Sequence, residues 1–147
     1  TYVSPSKNIT LALLGRAGYI ASYGRSNVVS EDQLFFLGGT LDVRGYDENR
    51  LLIDSNGDPV GGRISLAGSV EARFHLQYNL ELAVFFDAGS VRRTFVEPVT
   101  DNTRFSYGAG LRYITPIGPM GLLYGRKIDP GPLEDPDRWH FSVGYTF

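Results

Sequence analysis

Along most of this chain apolar and polar residues alternate with a period of two, the spacing of a strand that turns one face to an apolar medium. In Arg63–His75, Leu66, Val70, Ala72 and Phe74 fall on one face, and Ser65, Ser69, Glu71 and Arg73 on the other. Leu80–Val91 sets Leu80, Leu82, Val84 and Phe86 against Glu81, Ala83, Asp87 and Gly89. Arg104–Ile114 sets Phe105, Tyr107, Ala109, Leu111 and Tyr113 against Ser106, Gly108, Gly110 and Arg112. Gly121–Arg126 predicts a shorter strand. Arg138–Phe147 predicts a last one, with Trp139, Phe141, Val143, Tyr145 and Phe147 outward and His140, Ser142, Gly144 and Thr146 inward. Near the start, Asn8–Ser22 carries Ile9, Leu11, Leu13, Ala17 and Tyr19 on alternate positions, and Gly15 and Gly18 argue against a helix there. The pattern predicts an all-β, antiparallel chain of about six strands with no helix.

Turn chemistry separates these runs. Gln77-Tyr78-Asn79 is enough for a short turn, and Pro116, Gly118 and Pro119 force a tight one. Tyr23–Gln33 is polar and reads as a turn or short loop, and Asp129–Asp137 is a loop with three prolines. The longest connection is 34–62, opening on Leu34-Phe-Phe-Leu-Gly-Gly-Thr-Leu-Asp-Val-Arg-Gly-Tyr46 and containing the turn signal Asp54-Ser-Asn-Gly-Asp58. Asp54, Asn56 and Asp58 imitate the start of a calcium loop, but Pro59 stands where that loop needs Gly and Ser65 where it needs a bidentate Glu.

An alternating strand can face a soluble core or lipid. Here the polar face is small, with repeated Gly and Ser plus Arg and Glu, as a barrel lumen is. The apolar face is aromatic near the strand ends, as interfacial girdles are, and the last strand runs into Tyr145-Thr-Phe147 with no polar tail. Lipid-facing strands are the expectation, and a soluble β-sandwich is the alternative. No run reaches the ~18 apolar residues of a membrane helix, but barrel strands need only about 9–11 alternating residues. Composition agrees: 18 Gly and 13% aromatic residues with a single Met suit strands and turns. A net charge of −2 gives no basic surface for nucleic acid, and the absence of Cys excludes a thiol nucleophile or thiolate metal site.

The residue that asks for a partner is Arg44, set in a glycine-flanked loop. Twelve of the fourteen cations are Arg, whose planar fork suits carboxylates in confined places. Glu71 and Asp87 lie on the polar faces of successive strands and so point into one lumen, where charge-assisted hydrogen bonds are strong. Arg44 folded onto both would fix the loop to the wall; a solvated Arg and two solvated carboxylates are the other option. Catalysis has little to draw on. His75 and His140 are far apart in sequence, no metalloprotease or nucleophile-elbow motif occurs, and Gly108-Ala-Gly110 lacks the rest of a dinucleotide loop. The expectation is no enzyme, no metal and no cofactor.

Four motifs in order resemble the C-terminal half of the Omp85 family barrel. Phe35–Tyr46 is similar to its loop-six signature, with Gly38-Gly39 followed by Val-Arg44-Gly45-Tyr46. Phe85-Phe-Asp87-Ala-Gly89 resembles its Phe-x-Asp-x-Gly strand motif, and Tyr113–Pro119 its hairpin before the penultimate strand. Trp139, Phe141, Val143, Gly144, Tyr145 and Phe147 are similar to the terminal β-signal. The resemblance implies that 1–147 is the C-terminal portion of a sixteen-stranded transmembrane barrel in the outer membrane of a Gram-negative bacterium or an organelle. Residues 34–62 would then be the loop that folds into the lumen, with Arg44 held by Asp87 and Glu71. It implies a seam whose terminal strand pairs with an unfolded β-barrel client or a translocated polypeptide. About six strands do not close a lumen, so the rest of the barrel and the periplasmic POTRA repeats are expected elsewhere. Assembly or insertion of outer-membrane proteins is the leading expectation. A two-partner secretion transporter and a barrel anchoring an N-terminal enzyme are the alternatives.

Overall fold

The computed structural model describes residues 1–22, 29–98 and 102–144. Its strands are β1 (Tyr2–Ser6), β2 (Ile9–Tyr19), β3 (Ile64–His75), β4 (Leu80–Arg92), β5 (Thr103–Thr115), β6 (Gly118–Lys127) and β7 (Asp137–Val143). They form one seven-stranded sheet in chain order, each strand antiparallel to the one before. Besides strands, the described residues include one 3-10 turn, Glu31–Gln33.

The two faces are reversed relative to a soluble sandwich sheet. Val70, Leu82, Val84, Phe86, Phe105, Tyr107, Leu111, Leu122, Trp139 and Phe141 are exposed, whereas Glu71, Glu81, Asp87, Ser106 and Arg112 are completely buried. A face this apolar is stable against lipid and costly against water, at about 25 cal/mol for each Å². The sheet is a transmembrane barrel wall.

Strand connections are short at one rim and long at the other. The residues between β1 and β2, β3 and β4, and β5 and β6 are few, while the alternate connections 20–63, 93–102 and 128–136 are longer. Short turns at one interface and long loops at the other are the asymmetry of transmembrane β-barrels. At the tight rim Tyr78 and Asn79 both take positive φ, 61° and 59°, the sign that matches strand twist in a hairpin. The polar stretch Tyr23–Gln33 lies partly outside the described residues.

Seven strands stand where the residue pattern gave about six. The additional one is β1, exposed throughout, carrying Pro5 and a register shift between Val3 and Ser6. A five-residue edge strand with a proline and no buried face leaves no period-two signal. β4, β5 and β6 run a residue or more beyond their predicted ends, whereas β2 and β3 fall inside theirs. The last, among the described residues, is Asp137–Val143.

Phe86 faces outward in β4. Replacing it with Arg is expected to lower unfolding free energy by about 2–4 kcal/mol, measured by urea titration of the full-length protein in lipid vesicles. Phe86→Leu should cost less than about 1.5 kcal/mol in the same assay.

Candidate functional site

The buried polar face owes its burial to the connection between β2 and β3. Phe35 and Gly62 exchange backbone hydrogen bonds of 2.8 and 2.9 Å, which close this excursion at its neck. Inside it, Ile53 bridges Pro59 around a turn in which the Asp54 carboxylate accepts the Asn56 and Asp58 amides, both at 2.9 Å. Leu37, Val43, Tyr46 and Leu51 leave water against Ala67 and Val91 of β3 and β4. Gly89 makes room for that packing: a Cβ there would lie 2.6 Å from Val43 and 2.9 Å from Leu51. Gly38 and Gly39, at φ 117° and 96°, form the turn leading into the motif. Burial pushes the Tyr46 phenol up to about 12, with Glu134 adding to the shift, so it stays protonated. Burial also raises the Asp42 carboxyl, against the opposing pull of Arg16 2.9 Å away.

This path carries Arg44 onto the wall. Its Nε donates to Oδ2 of Asp87 at 2.7 Å and its Nη2 to Oδ1 at 2.7 Å, a bidentate pair. The Arg44 backbone amide adds a third bond to Oδ2 at 3.0 Å. Nη2 also reaches Ser69 Oγ at 2.9 Å, Ser69 donates to Asp87 at 2.6 Å, and Nη1 donates to Glu71. Phe85 lies beneath the guanidinium, with Cζ 3.7 Å from the ring centroid, close enough for a cation–π contact. The strand register explains the convergence. Ser69 stands opposite Asp87 and Glu71 opposite Phe85, all on the inward phase of β3 and β4.

Arg44, Glu71 and Asp87 thus lie together, and they belong to a larger ionic cluster. Glu71 also accepts from Arg73 Nε at 2.7 Å and from Arg112 at 2.8 and 3.1 Å. Arg112 continues to Glu81 at 3.2 Å, and Glu81 lies 3.3 Å from His75. The alternating pattern put Arg73, Glu81 and Arg112 on the inner face but gave no way to pair them, because their neighbours depend on register across three strands.

Gly45 is held on the far side of the lumen face. Its φ of 94° is left-handed, and its backbone packs on Gly125 of β6, where a Cβ would sit 2.5 Å from the Gly45 nitrogen. The Gly45 amide donates to Nε2 of His140 in β7 at 2.8 Å, and Nδ1 of the same ring lies 3.2 Å from Thr40 Oγ1. In sequence His140 is one of two histidines far apart, and its inward phase in the last strand is the signal that points it to this face. Asp47 pairs with Arg138 next to it.

The remaining terminal-strand residues do not join this cluster. Trp139, Phe141 and Val143 face outward, and Trp139 lies 5.0 Å from the Tyr124 ring. Gly144 bends at φ 85° and donates its amide to Pro119 at 2.7 Å. Tyr145 and Phe147 lie outside the described residues. Among the described residues no three His, Asp or Glu side chains converge as a metal site would need. The arrangement is chemically a clamp: it can hold a loop in one position.

A family model for the Omp85 superfamily domain matches residues 1–147. The chain belongs to the Omp85 superfamily. It is 27% identical to the outer membrane protein assembly factor BamA of Neisseria meningitidis serogroup B, over 97% of this chain and 22% of that protein. It is 29% identical to the chloroplastic outer envelope protein 80 of Arabidopsis thaliana, over 89% of this chain and 18% of that one. A SAM50-like protein of Schizosaccharomyces pombe is 27% identical, over 86% and 33%. The chain therefore spans about a fifth to a third of the length of these Omp85 relatives. In fold it is similar to BamA from Haemophilus ducreyi lacking POTRA domains 1-3, with a TM-score of 0.75 and 22% identity over 95% of this chain and 32% of that one.

Removing one partner of a buried charge pair leaves the other uncompensated. Asp87→Ala in the full-length Omp85 protein is expected to cost about 3–5 kcal/mol in urea unfolding. The double variant Arg44→Met with Asp87→Ala should cost clearly less than the sum of the single changes, the signature of direct coupling.

Proposed function

We propose that this chain is the C-terminal portion of a sixteen-stranded outer-membrane barrel that assembles or translocates β-barrel polypeptides without catalysis. Residues 34–62 act as its lumen-folding loop, and Arg44, Gly45 and Tyr46 latch that loop to Asp87 and Glu71. The observation that carries the reading is the bidentate Arg44–Asp87 pair, completely buried on the polar face of the sheet. Burying a guanidinium is costly unless it is paired, so a loop that does so has a defined seat and a defined cost of leaving it.

The gate lies at β7. Among the described residues β7 pairs only with β6, so its outer edge offers backbone groups to which a client strand could add. Trp139, Phe141 and Val143 face lipid there, and with Gly144, Tyr145 and Phe147 they make up the sequence of the terminal signal. The partners are outer-membrane lipid, an unfolded barrel client or translocated polypeptide, and the rest of the barrel with its POTRA domains. The compartment is the outer membrane of a Gram-negative bacterium or of an organelle. Assembly is favoured over secretion of a dedicated partner because two BamA proteins named as assembly factors are among the relatives.

Asp87→Arg would place two guanidinium groups against each other. In the full-length protein it is expected to reduce client assembly into vesicles by about tenfold or more, and Arg44→Asp on that background to restore part of it. Unchanged assembly in both single variants would rule out the latch.

A further inference from the structure

Besides its ion pairs, the loop motif is held to the wall through a neutral ring. Arg44 reaches β3 and β4, whereas Gly45 and Thr40 reach β7 through one imidazole. His140 is buried, and it faces the loop from a strand whose neighbours on both sides of it in sequence, Trp139 and Phe141, point outward. Its hydrogen bonds fix its state. Nε2 accepts the Gly45 amide and so carries no proton, which leaves the proton on Nδ1, where it can be donated to Thr40 Oγ1. A ring protonated at both nitrogens would set two N–H groups head to head at 2.8 Å.

We propose that His140 is a positioning residue that ties the terminal strand to the loop tip, and that it does so only as the neutral imidazole. This rests on the reading of 34–62 as a docked loop, but it is separable from any role in client assembly. The charged groups around the ring are Arg138 on its own strand and Arg44, Asp47 and Glu48 in the loop; β6 contributes apolar Leu123 opposite it in register. Arg138 also pairs with Asp47, but both side chains are substantially exposed, so that contact is weak by comparison. The tie therefore passes through the imidazole. It links the strand that carries the proposed gate to the residue immediately after Arg44, so a shift of β7 is felt at the latch without passing through β3 or β4.

The test uses the full-length protein, folded in detergent micelles without client, and reads hydrogen–deuterium exchange of peptides covering 34–62. His140→Leu should speed exchange around Gly45 by about tenfold, the effect of losing one buried hydrogen bond. His140→Gln, whose amide oxygen can accept the same proton, should restore most of the protection, and Arg138→Gln should change it little. In the wild type, lowering pH from about 7.5 to about 5 should loosen the same peptides beyond the intrinsic change in exchange rate, and His140→Gln should abolish that dependence. If His140→Leu does not fold, the wild-type and His140→Gln pH series decide alone. Equal protection in all variants, or a pH response that survives in His140→Gln, overturns the proposal. A normal result here with no assembly defect in Asp87→Arg would instead overturn the proposed function and leave this tie standing.

Discussion

A guanidinium taken out of water has to be matched group for group, and in this sheet the architecture of the inner face follows from that requirement at Arg44. Three cations, Arg44, Arg73 and Arg112, meet three anions, Glu71, Glu81 and Asp87, within one connected set of contacts. Each anion comes from β3 or β4 and faces inward by strand phase. The loop supplies one of the cations, so within this set the wall by itself carries an excess of negative charge. The docked loop completes a neutral cluster.

The same requirement explains the residues around it that carry no charge. Ser69 stands between Arg44 and Asp87 and bonds to both. Phe85 offers its ring face below the guanidinium, where an aliphatic side chain would add apolar contact but no attraction for the cation. Gly89 and Gly125 are empty where the loop backbone and its apolar residues come close. The strand motif Phe-x-Asp-x-Gly can thus be read as three contacts to one loop, spaced by two because all three must lie on one face of β4.

Much of this was legible in the residues because strand alternation is a local property. Alternation with the outward residues Val70 and Phe86 puts Glu71 and Asp87 inward, each on its own strand, before any fold is known, and Arg44 is the conspicuous cation in a loop with the freedom to reach them. Other parts were not legible for equally physical reasons. The edge strand β1 has no buried face and therefore no pattern. Arg112 and Arg73 declare an inward direction but not a partner, since pairing across β3, β4 and β5 is set by register. His140 needs both register and the path of a distant loop, so its place beside Gly45 could not be deduced from an isolated histidine. The terminal aromatic residues Tyr145 and Phe147 lie outside the described residues, and their phase rests on alternation alone.

An ionic seat gives the loop a kind of discreteness that an apolar seat would not. Apolar contacts weaken gradually, because sliding a side chain by an ångström trades one neighbour for another. A bidentate pair with a third bond from the Arg44 backbone has no comparable half-formed state. Displacing the guanidinium leaves Asp87 and Glu71, diagonal neighbours on β4 and β3, with less positive charge between them, and the cluster as a whole is unbalanced. Intermediate positions are therefore higher in energy than either a seated loop or one withdrawn far enough for water to enter. The Gly45–Gly125 contact adds to the seat a close backbone approach that a Cβ at either position would block. In the function proposed here, a loop with two states and little between them is suited to marking whether a barrel is at rest or engaged.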